Sequence, residues 1–361
     1  MLSVTGLTMR YQPGPPALDQ VSFDMEPGEF FTVVGPSNAG KSTLLKTIAG
    51  LERPEAGRIA IAGRDMTRAE PRHRGVSLLF QNIALFPAST GFENIAFPLR
   101  TAGWGEPEIE ARVVEIASLL RVSHVLERLP RTFSGGEQQR VAIGRALAAP
   151  SDLLMLDEPL TNLDARIRVS LRIAFKTLHR ETGQSILYVT HDQTEAMSLS
   201  DRIGVLNNGV FEQVGSPDEL YQTPRTAFVA GFLGAPPMNL LPAEFTERDG
   251  VLIAHGDGFQ APLVGRAEGP RPTEGAIGVR PEAISVSPHQ SAETPLAAEA
   301  LQIERLGGHH VIDIRLGGQV IRARSRPDHP VTTSGPVWIG FRPAAEHILD
   351  RRSGLFARRS G

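Results

Sequence analysis

The 361-residue chain has no cysteine. Disulfides, thiolate zinc sites and cysteine nucleophiles are therefore excluded, and a reducing compartment is permitted. Lysine is also scarce: Lys41, Lys46 and Lys176 stand against thirty-four arginines. No basic excess exists, since the formal charge is -3, so general nucleic-acid binding is not expected, a local basic patch aside. No apolar run approaches the roughly 18 residues that span a bilayer, and Met1 to Gly6 lacks a basic-then-apolar leader. A soluble chain is expected, with any membrane role supplied by a partner. Repeats and low-complexity tracts are likewise missing. What remains is a length suited to about two domains with ample apolar content for real cores.

One stretch organises the rest. Gly35-Pro36-Ser37-Asn38-Ala39-Gly40-Lys41-Ser42-Thr43 fits a phosphate-binding loop, G-x-x-x-x-G-K-[ST]. Before it, Glu29 to Val34 is an apolar, β-branched and aromatic run suited to a buried strand; after it, Leu44, Leu45 and Ile48 have helical spacing. In such a loop backbone N–H groups and a helix N-terminus converge on phosphates, Lys41 adds charge, and Ser42 can ligate Mg2+. A lysine here, in a chain that otherwise prefers arginine, fits the need for a compact ammonium between phosphate oxygens.

Residues 1–28 alternate apolar and polar side chains around turns, which predicts an antiparallel β layer. Tyr11 follows the first strand, where its ring either stacks on a base or packs at an edge. Val76 to Asn82 reads as a strand ending in Gln81, an amide at the edge where ligands of open α/β sheets collect. From about 87 to 150 the texture is helical, with helices over Glu108–Leu120 and Glu137–Ala149. Ser134 is placed to cap the second, and Gly135-Gly136 leave N–H groups accessible; this fits a second anion site or an ordinary capped helix.

Another buried strand, Leu153 to Leu156, runs into Asp157-Glu158-Pro159. Neighbouring carboxylates at a strand end point apart, so one can hold Mg2+ through water while the other faces a nucleophilic water. His191-Asp192 closes the strand Ser185–Thr190, and Ile203–Val210 reads as a hairpin with an Asn-rich turn. Ala235-Pro236-Pro237 marks a boundary, beyond which short strands broken by Gly and Pro predict a small all-β barrel. His309-His310 lack a third ligand and read as strand-edge residues, and the Arg351-Arg352 to Arg358-Arg359 tail reads as a solvated terminus able to touch phospholipid.

Together the phosphate loop, Gln81, Phe133-Ser134-Gly135-Gly136-Glu137-Gln138-Gln139-Arg140, Leu154 to Pro159, Leu160-Thr161-Asn162-Leu163-Asp164 and His191 resemble the ATP-binding-cassette ATPases, in that superfamily's order. Val189 to Met197 and Pro236-Pro237-Met238-Asn239-Leu240 are similar to its sugar and polyol importer branch, as is the C-terminal domain to the paired OB-type (TOBE) regulatory barrel. The resemblance implies an α/β P-loop NTPase fold, a RecA-like core with an antiparallel β layer and an inserted helical subdomain, over 1–235, then an OB-like all-β barrel domain over 236–361.

The resemblance also implies roles. Tyr11 would stack on adenine; Gly35, Pro36, Ser37, Asn38, Ala39, Gly40, Lys41, Ser42 and Thr43 would cradle the ATP phosphates; Ser42, Gln81 and Asp157 would meet Mg2+. Glu158 would be the catalytic base and His191 would contact the γ-phosphate. Ser134, Gly135, Gly136 and Glu137 would form the signature that binds ATP of the opposite subunit, with Asp164 in the D-loop, so that a two-fold homodimer completes two sites. Implied partners are two transmembrane permease subunits, reached through residues about 81–94, and indirectly a solute-binding protein, with a possible regulator at the barrel and no nucleic acid. The implied place is the cytoplasmic face of the inner membrane, as a peripheral subunit. An importer of a carbohydrate, polyol or related solute is expected. The alternatives are import of an oxyanion, polyamine or iron, an ATPase acting on nucleic acid or ribosomes, or a barrel whose own ligand is the main business. Asn38, Ala39, Glu137 and Thr161 depart from the family's usual residues; Asn38 tolerates positive φ.

Overall fold

The computed structural model describes residues 1–361 apart from 83, 162, 250, 264–266, 269–272, 329–330, 332–333, 343–345, 351–353, 357 and 360–361. Asn162, Arg351 and Arg352, named above, lie outside the described residues. The chain divides into two compact units, Met1–Pro217 and Asp218–Gly361.

The first unit opens with β1 (Leu2–Met9) and β2 (Leu18–Met25), whose alternating residues Leu2, Val4, Leu7, Val21, Phe23 and Met25 are buried. With β3 (Phe30–Val34), α1 (Lys41–Ala49), β4 (Ala56–Ile61) and β5 (Arg64–Asp65) the chain completes an antiparallel sheet of order β2-β1-β4-β5. This is the expected antiparallel layer, extended by β4 and β5. β3 instead joins β6 (Val76–Leu79) in a second sheet. Next come α2 (Gly91–Thr101), α3 (Glu106–Leu119), α4 (Gly135–Ala148), β7 (Leu153–Asp157), α5 (Ala165–Thr182), β8 (Ser185–Thr190), α6 (Gln193–Leu199), β9 (Arg202–Asn207) and β10 (Val210–Gly215).

The second sheet has the order β10-β9-β3-β8-β7-β6, parallel except for β10. Its central strands are apolar throughout because both faces are covered. Phe31, Val33, Met155, Leu187 and Val189 face a core shared with α1 and the antiparallel sheet. Their neighbours Phe30, Leu154, Leu156, Ile186 and Tyr188 face the opposite core, with α2 to α5. The two-residue period of a strand makes this division.

Details differ from the sequence reading. β6 ends at Leu79, so Gln81 sits in the loop after the strand rather than on it. α4 begins at Gly135, so Gly135 and Gly136 are its first two residues. The Asn208-Gly209 turn has φ of 46° and 79°, the double positive pair that suits a tight hairpin. An unforeseen buried arginine, Arg74, closes α1: Nη1 donates to Thr47 O at 3.0 Å and Ile48 O at 2.7 Å, satisfying carbonyls that a helix C-terminus leaves orphaned.

In the second unit two five-stranded antiparallel sheets share one apolar core. One contains Asn239–Arg248 and Glu274–Val279; the other contains Leu296–Arg305 and the hairpin His310–Leu316 and Gln319–Ser325. The expected boundary at 235/236 differs from the observed division at 217/218. Helical residues before Pro236 are tied to the later strands: Arg280 donates to Tyr221 O at 2.7 Å, Ala230 O at 3.1 Å and Leu233 O at 2.5 Å. Among the described residues no helix is long and apolar enough to cross a membrane.

Candidate functional site

The site stands at the carboxyl ends of the parallel strands, where open α/β sheets gather ligands. β3, flanked by β8 and β9, delivers the chain into the loop 35–40 and α1 leaves from it. Two glycines are sterically required there. A Cβ on Gly35 would lie 2.1 Å from Leu206 O, and one on Gly40, whose φ is 102°, would lie 2.4 Å from Ala17 O. Asn38 takes φ 67°, the left-handed conformation for which its residue type is suited.

Lys41 is buried, and Nζ donates to Gly35 O and Pro36 O, both at 2.9 Å, so its ammonium lies folded over the loop. Burial pulls its pKa down, opposed by the charges of Glu158 and Asp157. The Tyr11 hydroxyl donates to Thr43 Oγ1 at 3.3 Å while its ring stays 54% exposed, beside the start of α1. That leaves a ring face open to a planar group.

Asp157 ends β7, and Ser42 Oγ donates to its Oδ1 at 3.4 Å. Burial pushes the Asp157 carboxyl up, the Ser42 bond opposing and the charge of Glu158 reinforcing. A buried carboxylate beside a hydroxyl, with the Gln81 amide in the neighbouring loop, supplies the hard oxygen donors that Mg2+ takes alongside phosphates.

Glu158 turns the other way. Its φ of 47° is unusual for a side-chain-bearing residue, and its N–H donates to Val189 O at 2.9 Å. Oε2 accepts from Gln81 Nε2 at 3.2 Å and Thr161 Oγ1 at 3.2 Å, and lies 3.1 Å from His191 Nδ1. Three elements thus converge on one carboxylate oxygen. In this arrangement the Gln81 amide serves Glu158, and Thr161, noted in the sequence only as a departure, is a member of the cluster.

The Ser134 segment builds a second, separate centre. No hydrogen bond or ion pair among the described residues joins Ser134, Gly135, Gly136 or Glu137 to Lys41, Ser42, Asp157 or Glu158. Ser134 caps α4: its Oγ accepts from Glu137 N at 3.3 Å and donates to Glu137 Oε2 at 2.9 Å, while Ser134 N donates to the same oxygen at 2.7 Å. The Ser134 backbone bond, then His124, pulls the Glu137 carboxyl down to about 2. Asp164 caps α5 through Ile167 N at 3.0 Å.

The contacts of two further residues are not foreseen by the sequence. Gln139, on α4, donates to Pro159 O at 2.7 Å. Asn94 is fully buried and pins the preceding loop, accepting from Phe86 N at 2.8 Å and donating to the carbonyls of Phe86, Ser89 and Thr90. Neither set of contacts follows from a periodic pattern or from the motif spacing, so only the packed fold exposes them.

Comparison with known proteins shows what the chain is similar to. Residues 18–161 match the family described as ABC transporter, and residues 277–349 match the TOBE domain. The chain is 41% identical to the sn-glycerol-3-phosphate import ATP-binding protein UgpC of Yersinia enterocolitica over 98% of both chains. It is 38% identical to the protein of the same name from Pectobacterium atrosepticum, again over 98% of both. Among solved structures it resembles a dimeric ATP-binding cassette in a post-hydrolysis state bound to ADP and Pi. That likeness has a TM-score of 0.56 at 30% identity, covering 60% of this chain and 99% of the other.

Proposed function

The chain belongs to the ATP-binding-cassette transporters, as the ATP-hydrolysing subunit of an importer, and from that premise we propose how its residues divide the work. Tyr11 stacks on the adenine, the loop 35–43 holds the phosphates, and Lys41 swings from the Gly35 and Pro36 carbonyls to the phosphate oxygens. Ser42, Gln81 and Asp157 would hold Mg2+, which would supply charge neutralisation at the phosphates.

Glu158 orients a water and takes its proton as the water oxygen attacks the γ-phosphorus; the bond to the β–γ bridging oxygen breaks, leaving ADP and phosphate. His191 leaves Glu158 to hydrogen-bond the γ-phosphate. The observation that carries this reading is the convergence of Gln81, Thr161 and His191 on Glu158 Oε2 beside the Lys41 loop.

Ser134, Gly135 and Gly136 complete the site of the opposite subunit, so two copies close around two ATP molecules and open after hydrolysis. The partners are two permease subunits, and the place is the cytoplasmic face of the membrane. A surface suited to them lies beside Gln81, where Phe80, Phe86 and Phe97 are exposed around a groove of about 210 Å³. The Phe86 and Phe97 ring centroids lie 4.8 Å apart with their planes tilted by 56°, and the Arg145 guanidinium lies 5.0 Å from the Phe86 ring centroid. The solute class is a polyol phosphate, the relatives being named for import of sn-glycerol-3-phosphate, or a related polyol or carbohydrate.

Light scattering of the Glu158→Gln chain with and without Mg-ATP tests the mechanism. ATP is expected to convert it to a compact dimer, and Ser134→Arg is expected to abolish that conversion. ATP binding with no change of mass overturns the composite site in the isolated chain.

A further inference from the structure

A three-residue chain of contacts leads from the surface to the N-terminus of α4. His124, in the short turn Ser123–Val125, brings Nε2 to 2.7 Å from Glu137 Oε1. The other carboxylate oxygen, Oε2, is the one that accepts from the Ser134 N–H and hydroxyl. A single carboxylate therefore bridges His124 and Ser134. Since a carboxylate only accepts, Nε2 carries the proton in this contact, whether the ring is neutral or cationic. The His124 side chain is 59% exposed and that of Glu137 15%, so His124 exchanges protons with solvent while Glu137 stays largely shielded.

We propose that His124 is a positioning residue for the signature segment, whose protonation governs how readily the Ser134 hydroxyl turns from Glu137 to the γ-phosphate of ATP on the opposite subunit. This rests on the composite-site reading above. In the free chain the Ser134 hydroxyl proton points at Glu137, and serving a phosphate requires it to turn away. The carboxylate charge also repels the incoming phosphate. With His124 protonated the pair is neutral and the carboxylate is held on its Oε1 side. With His124 neutral the pair carries one net negative charge where the phosphate approaches.

The other charges near this chain do not supply the switch. Arg140, on the same helix, is acted on by the charges of Glu137 and Asp164, and a guanidinium keeps its charge across the physiological range. Histidine is the side chain that changes charge between about pH 5 and 8. The ATP concentration needed for closure accordingly rises as pH rises and the pair of His124 and Glu137 becomes net negative.

The test uses the full chain carrying Glu158→Gln, with Mg-ATP-driven dimer closure followed by light scattering between about pH 6 and 8.5. It compares the chain with its His124→Gln, His124→Arg and Glu137→Gln versions, each checked by circular dichroism to be fully folded at the assay temperature. The nucleotide and the rest of the site are common to all four, so only differences between profiles count. Half-saturating ATP is expected to rise about two- to fivefold more steeply in the parent than in His124→Gln or Glu137→Gln, the size suited to a partly exposed charge. His124→Arg should stay low throughout. With Glu158 restored, KM for ATP should follow the same pattern and kcat should not. If Ser134→Arg abolishes closure but all profiles run parallel, the role of His124 is overturned and the composite site stands. If Ser134→Arg leaves closure intact, both fall.

Discussion

Gln139 Nε2 donates to Pro159 O at 2.7 Å, tying the helix that Ser134 caps to the turn that carries Glu158. Gln139 is 1% exposed, and its own Oε1 has no hydrogen-bond partner among the described residues. Removing the amide strands a buried carbonyl, which destabilises by about 1–3 kcal/mol. Gln139→Ala is thus expected to lower the melting temperature and the ATPase rate together, and calorimetry with a phosphate-release assay checks both. An unchanged rate in a destabilised chain means that this bond is structural alone.

Glu158→Gln keeps a side chain of similar shape but cannot take the water's proton. Hydrolysis should fall by about 10²–10⁴-fold, the usual contribution of a general base. Nucleotide binding should survive, seen as a retained rise in melting temperature with Mg-ATP.

Asp157 gives a pH prediction of definite sign. Its folded-state pKa is raised by burial, so its contribution to stability is fully present below the unfolded value of about 3.9 and is lost as pH rises. At neutral pH the ionised group destabilises the nucleotide-free chain. Asp157→Asn should therefore raise the melting temperature of the free chain at pH 7, and the gain should shrink toward pH 4. The same variant should lose most of the stabilisation that Mg-ATP supplies.

Glu137 behaves in the opposite sense. Its pKa is lowered to about 2, so its contribution is present above the unfolded value of about 4.3 and is lost as pH falls through about 2. Glu137→Gln should melt earlier than the parent at neutral pH, and the two melting curves should approach each other as acid is added.

Arg74→Leu tests the far end of the phosphate-loop helix. The guanidinium is 1% exposed and also reaches Ala69 O at 3.0 Å and Thr67 O at 3.3 Å. Its loss orphans several buried carbonyls at once, and a destabilisation of about 3 kcal/mol is expected from denaturant unfolding. KM for ATP should change little wherever the chain remains folded, because the phosphates lie at the opposite end of α1.

Much of this protein was legible in its sequence because the relevant physics is local. The positive φ of Asn38 and Gly40 and the reciprocal cap between Ser134 and Glu137 lie within a few residues of chain. Strand burial was legible too, as the β3 and β8 residues are apolar without interruption. Asp157 and Glu158 were placed correctly at a strand end for the same reason.

Other features depended on distant segments meeting. The boundary shifted from 235 to 217 because Arg280 reaches back to Tyr221, Ala230 and Leu233, a choice made by packing and not by the Pro-Pro punctuation. His124 on Glu137, Gln139 on Pro159, Arg74 on Ile48 and Thr161 on Glu158 each match a donor to an acceptor that no periodicity or motif pairs in advance. The sequence by itself determined the phosphate loop, the buried strands and the helix caps, since backbone conformation and hydrophobic period act over a few residues. Only the tertiary structure decided which side chain answers which buried carbonyl or carboxylate, since such a bond exists only once the packed core has brought its two ends within about 3 Å.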